Sequence, residues 1–224
     1  MTNRIIKKLR NIIIGDYRSK ILADIIVKRI IKFNKQKNIK ILDFGSGFQP
    51  NIIFFIYNKL SVIHKKKVVI NCYDFYTSKE LYDLNISKTS LVNFKKVNLL
   101  KRDKIKYDFT LINDVLHHIG IDEEKLNKNL LNSILDKSKI IFIKDHFQSG
   151  PISNFVIRLM DFFGNYFNNV KTPKLYYTKK TFQDFIGKTN GKIIEIVYKV
   201  KLYPSYTLFM SNPKFNFFCL IKKK

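Results

Sequence analysis

The first part of the chain contains two segments in which apolar residues recur every three or four positions. That spacing places them on one face of an amphipathic helix. The first segment covers residues 5–13, with lysine and arginine on its other face, and the second covers residues 21–33. Gly15 and Asp16 interrupt the pattern between them. We therefore predict two N-terminal helices.

Beyond residue 38, short apolar runs alternate with longer segments of helical periodicity. This alternation indicates an α/β fold in which helices cover both faces of a parallel sheet. The predicted strands are residues 39–44, 68–73, 94–97, 109–112 and 140–143, followed by two late strands at 192–200 and 215–221. The predicted helices among them are residues 122–135, with acidic residues in the first turn, 153–167 and 178–186.

Composition and charge limit what the chain binds. With 224 residues, 46% of them hydrophobic, the chain is long enough for one globular domain and too apolar to be disordered. Its 42 Lys and Arg against 17 Asp and Glu give a net charge of +25, which by itself favours a phosphate-bearing partner. Few of these cations are Arg, the better ligand for phosphate, and the arginines form no cluster. We therefore expect no nucleic-acid partner, and we expect peripheral membrane contact only through the basic segment 5–13.

The cysteines and the longest apolar runs indicate the compartment. Cys72 and Cys219 lie far apart and form no C-x-x-C pair, which excludes a zinc ribbon and a dithiol redox motif. Two buried thiols suit a reducing environment. No apolar run approaches the roughly 20 residues of a membrane-spanning helix, and the run before Gly15 is too short for a signal peptide. We expect a cytoplasmic protein.

Acidic residues and glycines mark the carboxyl ends of the first two predicted strands, which is where ligands bind in open parallel sheets. The first strand is followed by a D-x-G-x-G sequence made by Asp43, Gly45 and Gly47. Pro50 stands where a dinucleotide fingerprint has its third glycine, and a carboxylate at this point repels a pyrophosphate but suits an ammonium group. Asp74 ends the second strand, where a carboxylate accepts the hydroxyls of a ribose. An ammonium-binding loop beside a ribose-binding acid describes a site for S-adenosylmethionine.

On these residues the chain resembles the class I S-adenosylmethionine-dependent methyltransferases, from about Lys20 onward. Residues 41–47, ILDFGSG, look like their glycine-rich first motif, and Asp74 matches the acid of their second strand. Residues 107–119, YDFTLINDVLHHI, are similar to the fourth-strand motif of the ubiquinone and menaquinone methyltransferase branch. The resemblance implies a Rossmann-like, doubly wound sheet of seven strands, mostly parallel, whose last strand is antiparallel and inserts beside the fifth.

The resemblance also implies a role for each matching residue in binding the cofactor. Asp43 and the backbone of Gly45 and Gly47 would hold the methionine moiety, and Asp74 the ribose. Phe75 would stack on the adenine, Asn98 and Leu99 would flank its edge, and Asn113 would lie near the methionine end.

Methyl transfer to a hydroxyl or an acidic carbon requires a base as well as a dry, well-ordered site. His118, His117, His146 and Asp114 are the candidates for that base, because all four lie at predicted strand ends on the ligand side. The alternative is that the imidazoles pack against the cofactor or bond to backbone. A metal site made by His117, His146 and Asp145 has no support from helical H-x-x-x-H spacing, and we expect none.

The aromatic segment 153–167 lies where this fold commonly inserts a lid over the acceptor pocket, and such a lid would favour an apolar acceptor. The alternative interpretation is ordinary core, with Arg158 and Asp161 as surface residues. We predict a single domain over residues 1–224. It comprises N-terminal helices (1–36), a cofactor-binding core (37–148), a lid-like insertion (149–177), and a C-terminal helix and strand pair (178–224).

The sequence therefore predicts an S-adenosylmethionine-dependent methyltransferase that acts on a small, apolar or lipid-like metabolite by O- or C-methylation. Two alternatives stay open at this point. One is an RNA methyltransferase, which would explain the charge but lacks the Asn/Asp-Pro-Pro-Tyr type motif expected after the fourth strand. The other is a non-catalytic, membrane-peripheral protein on the same fold.

Overall fold

The structure is a computed structural model that describes residues 16–46, 51–74, 92–96, 104–119, 123–165, 172–204 and 212–224. Strands and helices alternate along these residues. The strands are β1 (Asn38–Phe44), β2 (Lys67–Asp74), β3 (Val92–Lys96), β4 (Tyr107–Asn113), β5 (Ser138–His146), β6 (Gly191–Tyr198) and β7 (Asn216–Lys223). The helices are α1 (Tyr17–Phe33), α2 (Asn51–Asn58), α3 (Leu116–Ile119), α4 (Glu124–Leu135), α5 (Pro151–Asn165) and α6 (Lys179–Gly187).

The seven strands form one sheet in the order β3-β2-β1-β4-β5-β7-β6. Strand β7 runs antiparallel to both of its neighbours, β5 and β6, whereas the other pairings are parallel. This arrangement confirms the predicted Rossmann-like fold, including the insertion of the last strand beside the fifth. Strand order reverses between β1 and β4, so the carboxyl ends of these two strands border a crevice of the kind in which such folds bind ligands.

Both faces of the sheet are covered, which explains why its strands appear in the sequence as continuous apolar runs. Successive strand residues point to opposite faces. Ile41 and Phe142 pack on the face covered by α1 and α2, and Leu42 and Ile141 pack on the face covered by α4 and α6. An ion pair between Arg29 of α1 and Glu195 of β6 further fixes the first helix to the sheet.

Most predicted elements are present, with small shifts of their ends. The second predicted N-terminal helix is α1, and the third strand begins two residues earlier than predicted. The predicted helix at residues 5–13 lies outside the described residues, and with it the predicted membrane contact. Helix α2 and the π-helical turn Lys59–Ile63 that continues it were not predicted. No helix in the described part of the chain is both long and apolar enough to cross a membrane.

Helix α5 has an apolar face that is not part of the core. Ile152, Phe155, Leu159 and Phe162 lie on one side of this helix and are all exposed, Ile152 to 82%. The interpretation of segment 153–167 as ordinary core is therefore wrong for Phe155, Leu159 and Phe162. The assignment of residues 149–177 as a lid stays a prediction.

Candidate functional site

Two buried acids lie side by side at the carboxyl ends of β1 and β2. Asp43 is 3% exposed and Asp74 is 6% exposed, and the strands that hold them are paired in parallel register. Burial, with a smaller contribution from the nearby Asp74, raises the pKa of Asp43 to about 7, because low polarity and a neighbouring negative charge both disfavour an ionised carboxyl. The sheet thus brings together the two acids that were predicted to bind a cofactor. A cationic ligand group beside Asp43 would favour its ionised form.

The turn after β1 can accommodate only glycine at position 45. Gly45 has a φ of 80°, in the left-handed region, and its N–H donates to the carbonyl oxygen of Tyr73 at 2.8 Å. A Cβ built there would lie well inside 3.0 Å of the Val115 side chain. Gly45 therefore allows a tight turn after β1 and lets this turn pack closely against Val115, which follows β4.

The remaining predicted cofactor residues divide into two groups. Asn113 ends β4, and its side-chain Oδ1 is buried and accepts no hydrogen bond from the described residues. A buried acceptor without a donor is an opening for a ligand N–H or O–H. Four other predicted contacts, Gly47, Phe75, Asn98 and Leu99, lie outside the described residues.

Asp114, a predicted base, lies between two cations. Its φ is 53°, which Asp tolerates better than most residues. Its carboxylate forms ion pairs with Arg18 of α1 and with Lys144 of β5, whose Nζ is 2.5 Å from Oδ1. Burial works against the charge, but the two cations outweigh it and hold the pKa of Asp114 well below its usual range. Such a carboxylate is a weak proton acceptor, and its main effect is to neutralise Arg18 and the fully buried Lys144.

His146, the second predicted base, belongs to the same polar group. Its Nε2 lies 3.4 Å from Asp114 Oδ1 and 3.4 Å from Lys144 Nζ. Burial, together with the Lys144 ammonium, lowers the pKa of His146 to about 3, so the imidazole is neutral near pH 7. A neutral imidazole is available as a proton acceptor, but this environment makes it a weak one.

The neutrality of His146 predicts a pH dependence of stability. Since the pKa of His146 is lower in the folded chain than in the unfolded chain, its contribution is present above about pH 6.5 and is lost as the pH falls toward 3. We expect His146→Gln to reduce the slope of the unfolding free energy between pH 6 and pH 4.5 by up to about 1 kcal/mol per pH unit. Urea unfolding at several pH values measures this slope. An unaltered slope in His146→Gln would show that His146 is charged in the folded chain.

His117, the third predicted base, is the most tightly held of the imidazoles. Its Nδ1 lies 2.5 Å from Asp145 Oδ1, and both side chains are almost completely buried. Burial opposes protonation, but the Asp145 carboxylate, with help from Asp161, outweighs it and raises the pKa of His117 to about 10. The LHH segment pointed to this region, but only the pairing of β4 with β5 places Asp145 next to His117.

His118, the fourth predicted base, lies beside His117, with ring centroids 4.0 Å apart. Its side chain is 21% exposed, against 12% for His146, and its Nε2 is 3.8 Å from Asp161 Oδ1. The interpretation of Asp161 as a surface residue is wrong, because its side chain is only 10% exposed and accepts a hydrogen bond from Tyr176 at 2.9 Å. Asp161 thus connects α5 to the polar residues that follow or end β4 and β5, which we call the strand-end site: Asp114, His117, His118, Asp145 and His146.

Comparisons with known proteins support the fold. Neither a family model nor a curated protein matches the sequence. Among solved structures, the mitomycin 7-O-methyltransferase MmcR has a TM-score of 0.62 at 12% identity, covering 92% of this chain and 53% of that one. LepI in complex with SAM has a TM-score of 0.61 at 11% identity, covering 88% and 46%. An S-adenosylmethionine-dependent methyltransferase from Clostridium acetobutylicum ATCC 824 has a TM-score of 0.60 at 13% identity, covering 93% and 92%.

The chain therefore spans about half the length of the first two structures and nearly all of the third. At these identities the likeness shows a shared Rossmann-like methyltransferase fold. The ubiquinone and menaquinone branch stays a prediction, as do the individual site residues.

Proposed function

We propose that this chain is an S-adenosylmethionine-dependent methyltransferase. The observation that carries the proposal is the group formed by Asp43, Gly45, Asp74 and Asn113 at the switch point of this sheet. Fold alone does not define an activity, so the proposal depends on what these four residues can bind. The solved structures with this fold include proteins named as S-adenosylmethionine-dependent methyltransferases and one in complex with SAM, which supports the same choice.

The residues present fit this cofactor. The buried Asp43 lacks a cation among the groups that shift its pKa, and an ammonium group would supply one. Asp74, buried at the end of β2, would accept ribose hydroxyls, and Asn113 Oδ1 is a buried acceptor to which no described residue donates. Gly45 contributes backbone without a side chain. When bound, S-adenosylmethionine supplies an electrophilic methyl group, while the chain's own residues orient the reactants and exclude water.

We propose further that the acceptor is a small, apolar or lipid-like molecule, methylated on oxygen or carbon. In support, α5, the helix that supplies Asp161 to the strand-end site, also carries an exposed apolar face, which lies on a different side of the helix from Asp161. Of the three histidines among the predicted bases, His118 has the most exposed imidazole, and it lies next to that helix. Ion pairing weakens Asp114 as a base, and burial weakens His146.

Calorimetry with S-adenosylmethionine tests cofactor binding. We expect one site in the wild-type chain and at least about tenfold weaker binding in Asp74→Asn, because a hydrogen bond to a charged group contributes about 1.5–3 kcal/mol. The matched control is Asp108→Asn, because Asp108 lies at the amino end of β4, away from the site. Absence of binding by the wild-type chain would overturn the proposed function.

Transfer of labelled methyl groups identifies the class of acceptor. The chain is incubated with labelled S-adenosylmethionine and a cell extract, which is then separated into organic, aqueous and RNA fractions. We expect the label in the organic fraction. Label in the RNA fraction, with binding that falls steeply as salt is raised, would instead favour an RNA methyltransferase.

A further inference from the structure

His117, His118 and Asp161 bring three potential metal ligands to one point near the carboxyl ends of β4 and β5. One ligand atom from each lies within 4.8 Å of the other two. Asp161 Oδ1 is 3.6 Å from His117 Nε2 and 3.8 Å from His118 Nε2. Both distances exceed the roughly 2.7–3.2 Å of an N–H···O hydrogen bond. They are close to the separation, roughly 3.4 Å, of two ligands that each lie about 2.1 Å from a tetrahedral metal ion.

The most direct indication of a ligand is His117 Nε2. This nitrogen is buried and has no hydrogen-bond partner among the described residues, although the other ring nitrogen is firmly held. An unpaired polar atom in the interior costs free energy, so one that faces a carboxylate and a second imidazole calls for a bound group. A divalent cation at this point would displace the proton of Nε2 and bind its lone pair.

The surrounding residues orient the ligands as they do in metal sites. Asp145 holds His117 Nδ1 at 2.5 Å and so presents Nε2 to the cluster, which is the usual carboxylate–histidine arrangement behind a metal ligand. The Tyr176 hydroxyl donates to Asp161 Oδ2 at 2.9 Å, which leaves Oδ1 facing the two imidazoles. Together, Asp145 and Asp161 supply two negative charges, enough to balance a divalent ion.

We propose that His117, His118 and Asp161 form a binding site for one divalent transition-metal ion. Two imidazoles and one carboxylate suit Zn²⁺, Co²⁺ or Fe²⁺ better than Mg²⁺ or Ca²⁺, which prefer oxygen ligands. Three protein ligands leave a coordination position open, as in metal sites that act on a substrate. The site is reachable from solvent through the partly exposed His118. An imidazole bound to the metal cannot also serve as a base, so the site gives His118 a role different from the predicted one.

Titration of the full chain with Co²⁺ after removal of metals by a chelator tests the site. We expect one equivalent to bind with a visible ligand-field absorption band, and Zn²⁺ to displace it. His118→Ala and Asp161→Asn should each weaken Co²⁺ binding at least tenfold. Tyr176→Phe, which removes only the hydroxyl behind Asp161, should weaken it about tenfold. The matched control is His64→Ala, because His64 is exposed and distant in sequence from the cluster.

Three results would overturn the proposal. The first is no saturable Co²⁺ band in the wild-type chain, a measurement that needs no variant to fold. The second is unchanged Co²⁺ affinity in folded His118→Ala and Asp161→Asn, with folding checked by circular dichroism. The third is a preference for Mg²⁺ over Zn²⁺, which two imidazole ligands would not give. These titrations contain no S-adenosylmethionine, so their failure would leave the proposed methyltransferase function untouched.

Discussion

Replacing Gly45 by alanine is expected to lower the free energy of unfolding by about 3 kcal/mol. Two effects add. The left-handed backbone at this position, with a φ of 80°, costs an L-residue about 1–2 kcal/mol. The new Cβ would also overlap the Val115 side chain, and inserting a methyl into packed structure costs about 1–3 kcal/mol. Chemical denaturation of both chains gives the difference, and calorimetry should show that S-adenosylmethionine binding weakens with it.

Two further variants separate the cost of the left-handed backbone from the cost of the overlap with Val115. Val115→Ala removes the methyl group that the new Cβ would meet, so in that background Gly45→Ala should retain only the cost of the left-handed backbone. Gly187→Ala is the matched glycine control, because it lies at the end of α6 with nothing near its Cβ and should leave stability unchanged or slightly raised. Equal effects of alanine at positions 45 and 187 would contradict the role given to the β1 turn.

The fold was predictable from sequence because its central strands are buried on both faces. Continuous apolar runs such as residues 39–44 and 109–112 indicate such strands, and the helical spacing in α1 and α4 is unbroken. Helix α2 was not predictable in the same way. A six-residue apolar run at 52–57 has no polar face, and its periodicity does not distinguish a helix from a strand.

The candidate site was only partly predictable. Strand-end position singled out Asp43, Asp74 and Asn113, because parallel strands bring their carboxyl ends to one edge. The same rule placed Asp114 among the bases, yet its chemistry is set by cations that stand 96 and 30 residues away in sequence. No local sequence pattern indicates these ion pairs, since they depend on how α1 packs on the sheet and on which strands are neighbours.

Asp114→Asn is expected to lower the free energy of unfolding by about 3 kcal/mol at neutral pH. Asparagine keeps the size of the side chain and tolerates the left-handed backbone, so the change removes mainly the negative charge. Lys144, which is 0% exposed, and Arg18 would then be left without their carboxylate partner. Breaking a buried ion pair on one side costs about 3–5 kcal/mol, and the partial exposure of Asp114 places this case at the lower end.

The control and the pH dependence make this prediction specific. Asp136→Asn removes an acid that pairs with Lys223 at 2.6 Å but is 55% exposed, and it should change stability by less than about 1 kcal/mol. Because the folded-state pKa of Asp114 is held well below its usual range, its contribution is present above about pH 4 and is lost as the pH falls toward that folded-state value. The difference between wild type and Asp114→Asn should therefore shrink in acid. A constant difference would mean that the loss comes from packing rather than from charge.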